Sequence, residues 1–249
     1  NVGIAKMIVG GFHDSPNDFR KAFLDLGFDE LCCQEIPGAQ KSGIKPVDTW
    51  DATTLAWLSF GYVSRHPPIN ILSFYNAIAN GGKMLNPYLV DRIVDKSGRV
   101  IYSAQPKVLR DSICSDRTIE QLRHMLRGVV VDGTGKAVNS PLVSISGKTG
   151  TAQTLNPKTR TYEHCGHYVS FCGYFPSDNP RYSVISTVML PPGAVYSAGQ
   201  QPGAVVRAIA EAVASRGTAR SVTEMVAKQD KLKGVQVPSP NLRHKRKPT

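Results

Sequence analysis

The chain has 249 residues, 41% apolar and 20% charged, an ordinary globular balance that suits one large domain or two small ones. No run approaches the roughly eighteen apolar residues of a membrane span, and no signal peptide is visible at the start. The formal charge of +11 is concentrated in residues 216–249, which hold nine Lys/Arg against Glu224 and Asp230, so the body carries only +4 and nucleic-acid binding is not expected of it.

In chain order, Ser15-Pro16 opens a predicted helix with an N-cap and a proline at its first position. Phe19, Phe23, Leu24 and Leu26 form its apolar stripe and Gly27 ends it. The stretch from Pro68 to Gly81-Gly82 repeats the pattern, with Ile69, Leu72, Tyr75 and Ile78 on one face. Residues 88–102 read as two strands around the turn Asp95-Lys96-Ser97-Gly98. A third helix, capped by Ser115 or Asp116, turns Ile119, Leu122, Leu126 and Val129 inward and breaks at Gly133.

Val143, Ser144, Ile145 and Ser146 alternate in polarity and read as a strand leading into Gly147-Lys148-Thr149-Gly150. Two more strands follow, "YVSFCGYFP" and "RYSVISTVML", joined through Ser177-Asp178-Asn179-Pro180. Short connections imply an antiparallel sheet. A last helix is expected from about Pro202 to Arg216, with a linker near Arg216 to Thr218. The basic tail beyond, with Pro238, Pro240 and Pro248, reads as solvated and flexible. The fold class is therefore α+β, with helices flanking a mainly antiparallel sheet.

Gly147-Lys148-Thr149 also occurs in phosphate-binding loops, but those need a glycine where Leu142 stands, and a strand rather than a loop leads in. The competing match is Lys-Thr-Gly, residues 148–150. A lysine beside the hydroxyls of Thr149 and Thr151, between Gly147 and Gly150, suits a ligand bearing a carboxylate. A strand edge can extend a peptide ligand and aim backbone N–H groups at a developing oxyanion. The alternative is a solvated edge strand with no function. His164, Cys165, His167 and Cys172 superficially resemble a metal cluster, but the second ligand pair of a structural zinc site is missing. The five cysteines are odd in number and show no disulfide framework.

As a set, "SFGY" (59–62), "NAIANGGKMLNPYLV" (76–90), "GTGKA" (133–137), "SGKTGTAQ" (146–153) and "GHYVSFCGYFPSDNPRYSVI" (166–185) resemble, in order, blocks of the transpeptidase domain of class B penicillin-binding proteins, particularly the division-associated group. The resemblance covers about residues 1–215. It implies the penicillin-binding protein/serine β-lactamase-like fold, with residues 1–216 as the C-terminal part of the domain and 217–249 as the tail. In this family a Ser-x-Asn motif precedes a short apolar helix like Val2 to Val9, so Asn1 would be that motif's last residue. The chain begins at Asn1 and holds no convincing Ser-x-x-Lys, so the nucleophile is expected upstream and the chain alone is expected to be inactive.

What the resemblance implies is acyl transfer from the D-alanyl-D-alanine end of a peptidoglycan stem peptide, through a serine acyl-enzyme, to an amine of another stem peptide. β-Lactams would acylate the same serine. Lys148, Thr151 and Asn1 would be the catalytic residues of this segment, and Ser146, Thr149, Gly150 and Thr151 would bind substrate. Thr151 would add its backbone N–H to the oxyanion hole, and Asn1 would hold the substrate amide. No cofactor, metal or nucleic acid is implied. Divisome membrane proteins would be partners, at the extracytoplasmic face of the inner membrane, with an anchor upstream. The family's Tyr-Gly-Gly appears here as Tyr196-Ser197-Ala198-Gly199, and the segment after it as "QPGAVV", which puts the loop bordering the cleft in question. Two other readings share the motifs: a non-catalytic penicillin-recognising sensor or scaffold, and a serine β-lactamase.

Overall fold

The computed structural model describes residues 1–154, 159, 161–162 and 165–232, with 218–232 given as helix backbone alone. Its N-terminal half runs Val2–Phe12 (α1), Pro16–Phe23 (α2), Gly43–Ile44 (β1), Thr54–Leu58 (α3), Ser64–Arg65 (β2), Pro68–Ala79 (α4) and Met84–Asn86 (β3). There follow Arg92–Val94 (β4), Val100–Ser103 (β5), Lys107–Arg110 (β6), Asp116–Val131 (α5), Ser146–Gln153 (β7), His167–Phe175 (β8), Tyr182–Leu190 (β9) and Pro202–Leu232 (α6).

Helices α2, α4 and α5 form where the chain's punctuation predicts. Proline fixes the first-turn φ of α2 and α4 without losing a needed donor. Ser115 caps α5 by accepting from the Thr118 N–H at 3.3 Å. After α2 the chain continues through one wide turn, Leu24–Phe28, that closes at Gly27, whose φ of +92° few other residues adopt at low cost.

The sheet that matters for function has the order β7-β8-β9, antiparallel throughout. β8 is central and buried on both faces because successive side chains alternate. Tyr174 joins Ala77, Ile78, Met84, Ile119 and Leu126 in a core under α4. Phe171 and Phe175 join Val130, Val138, Ile145, Val206 and Ala210 in a second core under α6. Phe171 is wholly buried, and truncating it to alanine would cost about 3–5 kcal/mol. Helices on both sides of an antiparallel sheet match the expected class.

Four local details differ from expectation. β7 begins only at Ser146: Ile145 is fully buried in the second core, and the residues before it form a bend. In α5 the deepest position is Val130, with Val129 half-buried, because Val130 reaches the second core. The hairpin β4-β5 forms at the predicted turn but its strands are wholly exposed. The last helix passes through the expected linker at 216–218 and continues to Leu232, since no proline interrupts a run rich in Ala, Arg, Glu and Lys. The tail from residue 233 lies outside the described residues. α1 forms as expected and packs on α3 and α2, yet Val2, Ile4 and Met7 on it are exposed. No described helix is long and apolar enough to cross a membrane.

Candidate functional site

β7 is an edge strand, paired only with β8 among the described residues. The Thr154 N–H bonds to Gly166 O at 3.0 Å, toward β8, whereas the Gln153 N–H bonds at 3.2 Å to the Tyr62 hydroxyl on the other side. Backbone groups of an edge strand alternate in direction, so those of Gly147, Thr149, Thr151 and Gln153 face outward. Both ends of this outward row are occupied. Arg127 Nη1 donates to Ile145 O at 2.8 Å at one end, and Tyr62 takes the Gln153 N–H at the other. Between them, Gly147 to Thr151 presents an edge open to a further strand among the described residues, with the Thr149 carbonyl already taken by the Lys148 ammonium.

Lys148 folds along that edge. Its Nζ donates to Thr149 O at 2.9 Å and to Thr149 Oγ1 at 3.0 Å, and Thr149 Oγ1 lies 2.7 Å from Thr134 Oγ1. Thr134 belongs to the loop after α5. Desolvation of the ammonium holds its pKa below the usual lysine value, although the residue as a whole is exposed. The result is a cation and two hydroxyls in one hydrogen-bonded chain beside free backbone donors, an arrangement that can take up a carboxylate.

The loop after β9 borders this chain. The Tyr196 ring stacks on His167 at 3.8 Å, fixing the loop to the start of β8. A side chain at Gly199 would meet Thr134 O at 3.0 Å, so the loop backbone lies directly against the threonine relay. Gln201 holds the bend, its Oε1 accepting from the Ser197 N–H at 3.0 Å and its Nε2 donating to Val195 O at 3.0 Å.

Of the residues singled out from sequence, Lys148, Thr149, Gly150 and Thr151 lie together on β7, with Thr151 exposed. Ser146 departs from expectation: it is fully buried and its hydroxyl bonds with that of Ser177 in the β8–β9 turn, so it anchors the strand instead of facing a ligand. Gly150 has a second reason to be glycine, because a Cβ there would stand 2.5 Å from Ser170 Oγ. Asn1 is exposed, its carbonyl accepting from the Ala5 N–H at 2.9 Å. No hydrogen bond joins it to Lys148 among the described residues. One literal Ser-x-x-Lys occurs, Ser42-Gly43-Ile44-Lys45, but Gly43–Ile44 is the short strand β1, so Ser42 and Lys45 are not one helical turn apart on a common face. Thr134 and Tyr62 were not singled out as individual residues, though each sits in a quoted block, "GTGKA" and "SFGY".

His167 and Cys172 point to opposite faces of β8, Cys165 is buried, and His164 lies outside the described residues. Among the described residues no group of His, Cys, Asp or Glu is arranged to hold a metal.

Comparison with known proteins places these features in context. The profile of the penicillin binding protein transpeptidase domain matches residues 13–211. Stage V sporulation protein D of Bacillus subtilis is 28% identical over 186 residues, covering 75% of this chain and 28% of that protein. A peptidoglycan D,D-transpeptidase FtsI homolog of Mesostigma viride is 28% identical over 203 residues, 76% of this chain and 34% of that protein. Among solved structures, apo penicillin binding protein 3 of Mycobacterium tuberculosis superposes with a TM-score of 0.68 at 28% identity, over 80% of this chain and 46% of that one. The same protein complexed with ampicillin gives 0.66 at 28% identity, over 83% and 46%. The chain thus spans about a third or less of these curated relatives.

Proposed function

This chain belongs to the family of penicillin-binding protein transpeptidase domains, within the class B group, and we propose that in the intact protein it forms the carboxylate-binding and oxyanion side of a peptidoglycan D,D-transpeptidase. The observation that carries the proposal is the open edge Gly147–Thr151 with Lys148, Thr149 and Thr134 linked beside it.

A donor stem peptide would lie along the β7 edge, its terminal D-alanine carboxylate on Lys148 Nζ and the Thr149 hydroxyl. Thr151 sits one outward position further on, where its backbone N–H can meet the oxygen of the scissile carbonyl. A serine hydroxyl would attack that carbonyl, the C–N bond would break, and D-alanine would leave with the proton surrendered by the serine. An amine of a second stem peptide would then attack the ester, forming the cross-link and restoring the serine hydroxyl. A β-lactam carries its carboxylate and strained amide in the same relation. Its C–N bond also breaks, but the amine stays tethered, so the acyl-enzyme persists.

The nucleophile in this proposal lies N-terminal to Asn1, within a Ser-x-x-Lys of the intact protein. Asn1 would hold the substrate amide once that part is in place. The intact protein would work at the extracytoplasmic face of the membrane, with divisome proteins as partners.

The test is to treat the 249-residue chain and a version extended upstream with a fluorescent penicillin and to weigh both. A covalent adduct on the extended chain alone is expected. An adduct on the shorter chain would refute the placement of the serine, and none on either, with both folded, would refute the enzymatic reading.

A further inference from the structure

The outward edge of β7 ends at Tyr62, and this ending has a chemical consequence. Gln153 offers the last outward N–H of the strand, and the Tyr62 hydroxyl accepts it at 3.2 Å. That oxygen therefore occupies the place where the carbonyl of an added peptide strand would sit. A phenol is both acceptor and donor, and no acceptor for the Tyr62 proton exists among the described residues. The ring is held from the side. Trp57 meets it at 5.3 Å and Phe60 at 5.7 Å, both edge-on, and Trp57 and Phe60 are 5.5 Å from each other. The Tyr62 N–H closes the same turn on Trp57 O at 3.1 Å. The hydroxyl is thus a fixed group at the end of the open edge.

We propose that Tyr62 is a specificity-determining residue: it limits peptide addition on β7 to the Gly147–Thr151 edge and donates its hydroxyl proton to a carbonyl of the donor peptide upstream of the scissile bond. This rests on the transpeptidase reading above. A peptide whose scissile carbonyl sits at Thr151 advances about 3.3 Å per residue and reaches the level of Gln153 two residues upstream, after roughly 7 Å. The last three residues therefore lie on the open edge, and the carbonyl before them, that of a fourth residue or of an acyl cap on the third, meets Tyr62. An acylated peptide of two residues would fall short of this contact, and an acylated peptide of three or more would use it.

The experiment uses the intact protein, wild type and Tyr62→Phe, with two donors: N-acetyl-D-Ala-D-Ala and diacetyl-L-Lys-D-Ala-D-Ala, following release of D-alanine. Acylation by benzylpenicillin is measured alongside. Loss of one hydrogen bond to substrate should lower kcat/KM for the tripeptide about fivefold to tenfold. The dipeptide rate should stay within about twofold, and thermal unfolding should be unchanged. Equal losses on both peptides would reduce Tyr62 to a structural role, and no loss on either would overturn the contact. Hydrogen exchange at the Gln153 amide supplies a second readout, and slow exchange in wild type that persists in Tyr62→Phe would also overturn the proposal. If wild type is inert to benzylpenicillin and to both peptides, the transpeptidase reading itself fails. If wild type reacts but the variant discriminates no differently, only the role of Tyr62 fails.

Discussion

Thr134 Oγ1 lies 2.7 Å from Thr149 Oγ1, and Thr149 Oγ1 in turn lies 3.0 Å from Lys148 Nζ. The ammonium can only donate, so Thr149 accepts from it and shares a second hydrogen bond with Thr134, in which either hydroxyl can be the donor. An arriving carboxylate would draw the Thr149 proton toward itself. Thr134 is therefore the resting partner that keeps the Thr149 hydroxyl oriented. We expect Thr134→Val in the intact protein to slow acylation by benzylpenicillin about tenfold. Thr134→Ser should recover most of the rate, and both variants should unfold within about 0.5 kcal/mol of wild type because the position is exposed. Stopped-flow acylation and thermal melts measure both quantities.

Lys148 should show its role in a pH profile. Desolvation lowers its pKa from the ordinary 10.5, so the ammonium loses its proton at a lower pH than a free lysine would. The charged form is the one that attracts a carboxylate. Acylation should therefore be sustained at neutral pH and fall as pH rises toward that lowered pKa. Lys148→Arg, which stays charged, should lose this alkaline decline, and Lys148→Ala should lose roughly a hundredfold at neutral pH. An alkaline limb unchanged in Lys148→Arg would assign the titration to another group.

Gly150 and Gly173 separate steric from functional demands for glycine. A Cβ on Gly173 would overlap the carbonyl of Ser146 and come within 2.9 Å of Gly147 Cα, both backbone atoms of the facing strand. Gly173→Ala should force the strands apart and destabilise by about 1–3 kcal/mol, read as a lower midpoint in denaturant. At Gly150 the obstacle is the terminal oxygen of Ser170, which can rotate away. Gly150→Ala should therefore melt almost like wild type. If the peptide backbone lies along β7, acylation should still fall.

His66 supplies a test of the fold away from the strand. Its half-buried ring packs on Phe23 at 5.7 Å and on Phe28 at 5.0 Å, with Nε2 2.9 Å from Ser64 Oγ. Burial pushes its pKa below the ordinary 6.5. Between that lowered value and 6.5 the unfolded chain binds more protons than the native one. The contribution is complete above about pH 6.5 and is lost as pH falls through that value. Melting curves from pH 8 to pH 5 should drop more steeply for wild type than for His66→Gln.

Periodicity and punctuation carried the helices α2, α4 and α5 and the antiparallel order of β7, β8 and β9, because such signals are local. Proline at a first turn, glycine at a stop and alternation along a strand act over a few residues, whatever the rest of the chain does. The Lys-Thr-Gly signal was legible for the same reason, since Lys148, Thr149 and Gly150 are adjacent. The burial of Ser146 is not legible in the sequence, because alternation says which residues share a face but not what covers that face, and here it is the turn carrying Ser177. The course of α6 through residues 216–218 was missed because a lone Gly217 reads as a break although helix formers continue beyond it. Thr134 and Tyr62 could be placed only by the fold. They stand 15 and 91 residues from the strand positions they bond, and no pattern in the sequence records which distant loop will end against a given edge. Hydrogen bonding is short-ranged in space and indifferent to separation along the chain, so the residues that orient and bound this edge became visible only once packing had brought them to it.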